Sequence, residues 1–123
     1  MSDLEELTQA KCIPCRRGDP PLTQAEVDSL KGLLPHWEVI ETEGVLTLQR
    51  VYKFKNFAQA LDFTNRVGAI AEEQDHHPTL LTEWGKVTVR WWTHAVGGLH
   101  RNDFIMAAKT DQIYQNTQTE TAT

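Results

Sequence analysis

The stretch LLTEWGKVTVRWWTH, residues 80–94, alternates with a period of two. Val87, Val89 and Trp91 fall on one face, and Thr88, Arg90, Trp92 and His94 fall on the other. That spacing is the mark of a strand with one face in the core and one in solvent. Gly85 supplies a turn between Leu80–Trp84 and Lys86–His94, so the two runs read as an antiparallel hairpin.

Upstream, the period changes to helical. Phe57, Ala60, Leu61, Phe63, Thr64, Val67, Ile70 and Ala71 form a broad apolar stripe over residues 57–74, with Asn56 as the N-cap. Pro78 cannot continue that helix and biases His77 to extended backbone, so the chain leaves it at Asp75-His76-His77. Before it lies another hairpin, HWEVIE (36–41) and VLTLQRVYKF (45–54), turning at Thr42-Glu43-Gly44. A first helix opens at Thr23, where Thr23-Gln-Ala-Glu26 fits a capping box, and ends near Gly32 and Pro35. Downstream, Gly97-Gly98 breaks the strand, and a last helix is expected over residues 101–114. Residues 1–22 read as an irregular leader, 23–115 as a single domain, and 116–123 as a polar, frayed tail.

The order is α-β-β-α-β-β-α. Two hairpins joined through a helix imply an α+β fold, a four-stranded antiparallel sheet with helices packed on one face. Such a sheet leaves two edges and an open face, which predicts a homodimer or homotetramer. The 123 residues amount to one domain, and 40% hydrophobic with 24% charged residues is a globular profile. Twelve Lys and Arg stand against seventeen Asp and Glu, a net charge of −5. The cations are dispersed, which argues against direct nucleic-acid binding. No apolar run reaches the ~20 residues of a bilayer span, and the start MSDLEELTQAK is not a secretion signal. A soluble cytoplasmic protein without membrane contact is expected.

Histidine and acidic residues gather at Glu72-Glu-Gln-Asp-His76-His77-Pro78. Glu72 lies four residues before His76, a spacing at which the two can meet on one helix face and the carboxylate orient the imidazole. The plain alternative is a pair of surface histidines at a helix end. His94 closes the strong strand beside a glycine loop with room for a ligand, although one such histidine is more often structural. Asp103 falls in the first turn of the last helix, where stabilising the helix dipole is the simpler reading. His76, His77, His94 and Glu72 could also be imagined as a catalytic zinc site, but no HExxH pattern is present. Cys12 and Cys15 form a CxxC with Pro14 between them, in a leader rather than at a strand-to-helix junction. With no second cysteine pair, neither a redox centre nor a structural zinc is indicated.

Taken together, Glu72-x3-His76-His77-Pro78, Trp84, Thr93-His94 and Gly98-Leu99-x3-Asp103 resemble the pterin-4a-carbinolamine dehydratase family, over about Leu22 to Ile113. The run LTEWGKVTVRWWTHAVGGLHRNDFIMAAKTD is especially similar to bacterial members associated with phenylalanine hydroxylase. The resemblance implies an α+β sandwich, commonly a dimer or dimer of dimers. It also implies an enzyme that removes water from a 4a-hydroxytetrahydropterin, with no metal or organic cofactor. His76, His77 and His94 match the catalytic and pterin-binding histidines, and Glu72 and Asp103 match supporting acidic positions. His76 to Pro78 and Thr93 to Val96, with Ala95, would line the pterin. Animal members carry an acidic residue and a cysteine where this chain has Ala95 and Val96. Animal relatives also serve as dimerisation cofactors of a transcription factor, so a protein-binding regulatory role is the alternative. Retention of all three histidines favours the enzyme. As histidines ordinarily titrate near neutrality, activity is expected to fall as pH drops through about 6–7.

Overall fold

The computed structural model describes residues 3–13 and 18–121. Helices α1 (Asp3–Gln9), α2 (Gln24–Lys31), α3 (Phe57–Gln74) and α4 (Arg101–Thr121) accompany strands β1 (Glu38–Thr42), β2 (Val45–Lys53), β3 (Thr79–Glu83) and β4 (Lys86–Trp91). The strands form one sheet in the order β1-β2-β4-β3, with every neighbouring pair antiparallel. The central pair β2–β4 sets Tyr52 opposite Val87, Arg50 opposite Val89 and Leu48 opposite Trp91. Leu48, Val87, Val89 and Trp91 are wholly buried on the helix-covered face. The neighbouring positions Val51 and Leu81 point to the open face and are exposed.

The capping signals read for α2 hold to the residue. Thr23 Oγ1 accepts from the Glu26 N–H at 3.2 Å, and Glu26 Oε1 accepts from the Thr23 N–H at 2.9 Å. The Thr23 backbone N–H, and next its hydroxyl, hold the Glu26 carboxyl below its ordinary range. A carboxyl lowered on folding contributes stability above the ordinary carboxylate range and loses it as pH falls. Thr23→Ala is expected to cost about 1 kcal/mol. A urea midpoint unchanged from wild type at neutral pH would contradict this.

Asn56 caps α3 by accepting from the Gln59 N–H at 2.8 Å. Half of the α3 stripe enters the core through Ala60, Phe63, Val67 and Ala71, while Phe57 and Leu61 stay exposed. At its other end Asp75 adopts a left-handed conformation, φ 53° and ψ 43°. The His76 N–H then reaches back to the Ala71 carbonyl at 3.1 Å, a six-to-one closure that stops the helix. Aspartate tolerates this conformation better than most residues.

Three expectations need correction. The leader is not irregular throughout: residues 3–9 form α1, whose Leu7 is 1% exposed and joins the core. Lys109 Nζ donates to the Thr8 carbonyl at 2.8 Å, tying α1 to α4. The last helix does not end near Tyr114; α4 runs to Thr121, with Thr117 buried and its hydroxyl bonded to the Tyr114 carbonyl. Strand β4 ends at Trp91, not His94, which begins a short 3₁₀ turn over His94–Val96. That turn is pinched off where Thr93 and Gly98 bridge, and it closes through Gly97 at φ 67°, a conformation glycine adopts without strain.

Candidate functional site

The end of α3, the 3₁₀ turn after β4 and the start of α4 converge at one end of the sheet. Between them lies a cleft of about 660 Å³, within the usual range for small-molecule sites. His76, His77 and His94 all line it, with Trp92, Thr93 and Ala95. Three histidines from two separate segments therefore face one space.

Their settings differ. His76 Nε2 lies 2.6 Å from Asp103 Oδ1, and its side chain is 11% exposed. Its ring stacks on Trp91, with centroids 5.7 Å apart and planes 9° from parallel. Trp91 is itself fixed by donating Nε1–H to Thr110 Oγ1 at 3.2 Å. Asp103 is fully buried, and its Oδ2 accepts from Thr93 Oγ1 at 2.8 Å and from the His100 N–H at 2.9 Å. One carboxylate thus joins the 3₁₀ turn, α4 and His76. A carboxylate can only accept, so Nε2 of His76 carries the hydrogen of this contact.

The sequence spacing pairs Glu72 with His76, and the structure does not. The left-handed Asp75 swings His76 away from the α3 face that carries Glu72. Glu72 Oε2 instead sits 3.4 Å from His77 Nε2, a long contact between two exposed side chains. Such a pair contributes little. His94 is exposed at the cleft, and its ring makes no hydrogen bond to another described residue. Val96 is buried, and neither it nor Pro78 lines the cleft.

For Asp103, the helix-dipole reading is too weak: its carboxylate meets two side chains and a backbone N–H, which makes it the hub of the site. Sequence reasoning missed His100, Gln74 and Asn102, which carry no pattern of their own. Among the described residues no group of three or more His, Cys, Asp or Glu is placed to hold a metal ion, so the zinc arrangement is not assembled there. No helix among them is long and apolar enough to cross a membrane. Cys15 lies outside the described residues, and Cys12 is half-buried at the cleft.

The family model for pterin 4 alpha carbinolamine dehydratase matches residues 20–113. The chain belongs to this family. A relative in Microcystis aeruginosa is 57% identical over 112 residues, covering 91% of this chain and 97% of its own. Another, in Chlorobium limicola, is 54% identical over 112 residues, covering 91% and 99%. Both bear the name "Putative pterin-4-alpha-carbinolamine dehydratase". A solved structure from Brucella melitensis, described as a transcriptional coactivator/pterin dehydratase, superposes with a TM-score of 0.70 at 31% identity. It covers 76% of this chain and 98% of the Brucella chain. The pterin 4 alpha carbinolamine dehydratase fold is therefore shared with a protein that carries two functional descriptions.

Proposed function

We propose that this protein dehydrates a 4a-hydroxytetrahydropterin to quinonoid dihydropterin and water, using its histidines and no metal or organic cofactor. The observation that carries the reading is His76, oriented by buried Asp103 and stacked on Trp91, in a cleft shared with His77 and His94. In the reaction the N5 lone pair drives out the oxygen at carbon 4a. That oxygen takes a proton to leave as water, and the ring gives up a proton. One donor and one acceptor are needed, each contributing about 10²–10⁴ in rate.

With Nε2–H directed at Asp103, the nitrogen His76 leaves for substrate is Nδ1, an acceptor. His77 and His94, the more exposed pair, are the donors by this reading. Glu72 supports His77 loosely, and His76, His77, Thr93, His94 and Ala95 contact the pterin. The exposed side of the cleft, at His77 and His94, gives the departing water an exit.

The activity serves cofactor recycling for an aromatic amino-acid hydroxylase in the cytoplasm. Exposed Phe57, Leu61, Val51 and Leu81 support assembly as a homodimer or homotetramer. The direct assay follows loss of 4a-hydroxytetrahydropterin generated by a hydroxylase. Wild type is expected to accelerate it, His94→Ala to lower turnover by about 10²-fold or more, and a chelator to change nothing. Chelator-sensitive turnover, or a fully active His94→Ala, would refute the histidine mechanism. A second reading, a regulatory protein-binding role, is favoured by the coactivator description of the Brucella relative. Net charge −5 then points to a protein partner instead of duplex DNA.

A further inference from the structure

Cys12 and Ile13 of the leader lie at the cleft, and their attachment is built from residues beside the histidine site. The Cys12 N–H donates to Gln74 Oε1 at 2.9 Å. Asn102 grips the next residue twice: its Oδ1 accepts from the Ile13 N–H at 3.0 Å, and its Nδ2 donates to the Ile13 carbonyl at 2.7 Å. Asn102 is 2% exposed, so the double contact is made in a shielded setting, where hydrogen bonds hold geometry well. Gln74 ends α3 two residues before His76, and Asn102 immediately precedes Asp103. The strap is thus mounted on the two elements that mount His76 and its carboxylate.

Gly18 and Leu22 are also held near this end of the molecule. The Gly18 N–H donates to the Ala95 carbonyl at 3.4 Å, and the Leu22 N–H to the Leu99 carbonyl at 2.9 Å. Since Asn102 and Gln74 engage the backbone of residues 12 and 13, side chains are what the strap offers the cleft. Cys12 and Ile13 both line it. Ile13 is 61% exposed, a large apolar side chain held in place without being buried by its own chain. Small-molecule sites combine apolar walls with a few polar groups, and Ile13 adds apolar surface to a lining that also holds three histidines.

We propose that the strap forms one wall of the substrate site, with Ile13 a specificity-determining residue that packs on the flat ring system of the pterin, and Asn102 its positioning residue. The proposal rests on the dehydratase reading. The strap lies before residue 20, where the family model match begins. A wall of this kind acts on binding more than on the chemical step.

The test uses the full chain. Ile13→Ser is expected to raise KM about fivefold with kcat held within about twofold, the signature of lost uniform binding. Ile13→Val keeps the apolar contact and should restore KM. Asn102→Ala should raise KM similarly and speed hydrogen exchange at the Ile13 amide. A second measurement needs no turnover: titration with a 7,8-dihydropterin, read by tryptophan fluorescence, should show the same loss of affinity in Ile13→Ser. An active wild type with unchanged KM and unchanged dihydropterin affinity in Ile13→Ser would overturn the wall and leave the dehydratase reading standing. A fall in kcat at constant KM would overturn it too. A wild type that neither binds nor dehydrates a pterin would overturn the dehydratase reading and the wall with it.

Discussion

His76→Ala is expected to lower dehydratase turnover by about 10²–10⁴-fold while circular dichroism stays at the wild-type spectrum. The size of the effect follows from the setting of the ring. His77 and His94 are exposed, but His76 is held on one edge by Asp103 and on one face by Trp91. A proton acceptor works best when its lone pair is already aimed, and those two contacts fix both the tautomer and the ring plane. Asp103→Asn separates orientation from removal. The His100 N–H needs an acceptor, so the amide oxygen would stay with it and the amide NH₂ would face His76 Nε2. His76 would then be driven to the opposite tautomer, with its hydrogen on Nδ1. A loss of about 10²-fold or more is expected, by the logic that governs misoriented catalytic histidines elsewhere. Glu72→Ala, at an exposed 3.4 Å contact, should stay within about twofold. Equal losses in Glu72→Ala and Asp103→Asn would show that the carboxylate under His76 has no special role.

The contrast between Glu72 and Asp103 shows what a single sequence can display. Local signals were legible because they depend only on near neighbours. Thr23 and Glu26 cap each other three residues apart, Asn56 caps α3 three residues ahead, and the β4 alternation places Val87, Val89 and Trp91 together. The family resemblance likewise followed from histidines and acids in a fixed order. The pairing of Glu72 with His76 failed because it assumed that the helix continued through Asp75, where one left-handed residue redirects the chain. Asp103 was undervalued because Thr93 and His76 lie 10 and 27 residues away and meet it only once the sheet has formed. Helix α1 was invisible for a related reason. Leu4 and Leu7 are too few for a periodic stripe, and Leu7 becomes a core residue only against α4. The polar end of α4 has no apolar stripe at all, yet Thr117 is buried there.

Asp111→Ala is expected to destabilise the fold by about 3 kcal/mol, without touching the cleft. Asp111 stands about two turns beyond Asp103 on α4, and its Oδ1 receives three donors. Trp37 Nε1–H lies at 3.0 Å and Arg50 Nη1 at 2.7 Å, and the Tyr52 hydroxyl donates to the same oxygen. Arg50 and Tyr52 are alternate residues of β2, so both face the helices, and the Arg50 guanidinium lies 4.4 Å from the Tyr52 ring centre. Arg50 therefore occupies a core-facing position between Leu48 and Tyr52, and Asp111 compensates its charge with both side chains under a fifth exposed. Removing the carboxylate leaves a guanidinium, an indole N–H and a phenol without their acceptor, which costs far more than a surface pair would. The phenol adds a pH signature. Burial, then the Asp111 charge and hydrogen bond, push the Tyr52 hydroxyl well above its ordinary range, against a smaller opposing effect of Arg50. A group raised on folding contributes stability that is intact below its unfolded value of about 10 and is lost as pH rises beyond it. Wild type should therefore lose urea resistance above about pH 10, and Tyr52→Phe should lose less over the same interval while starting about 1 kcal/mol lower. If Asp111→Ala unfolds at the wild-type urea midpoint, or Tyr52→Phe follows the wild-type alkaline slope, the carboxylate is not what holds α4 to β2.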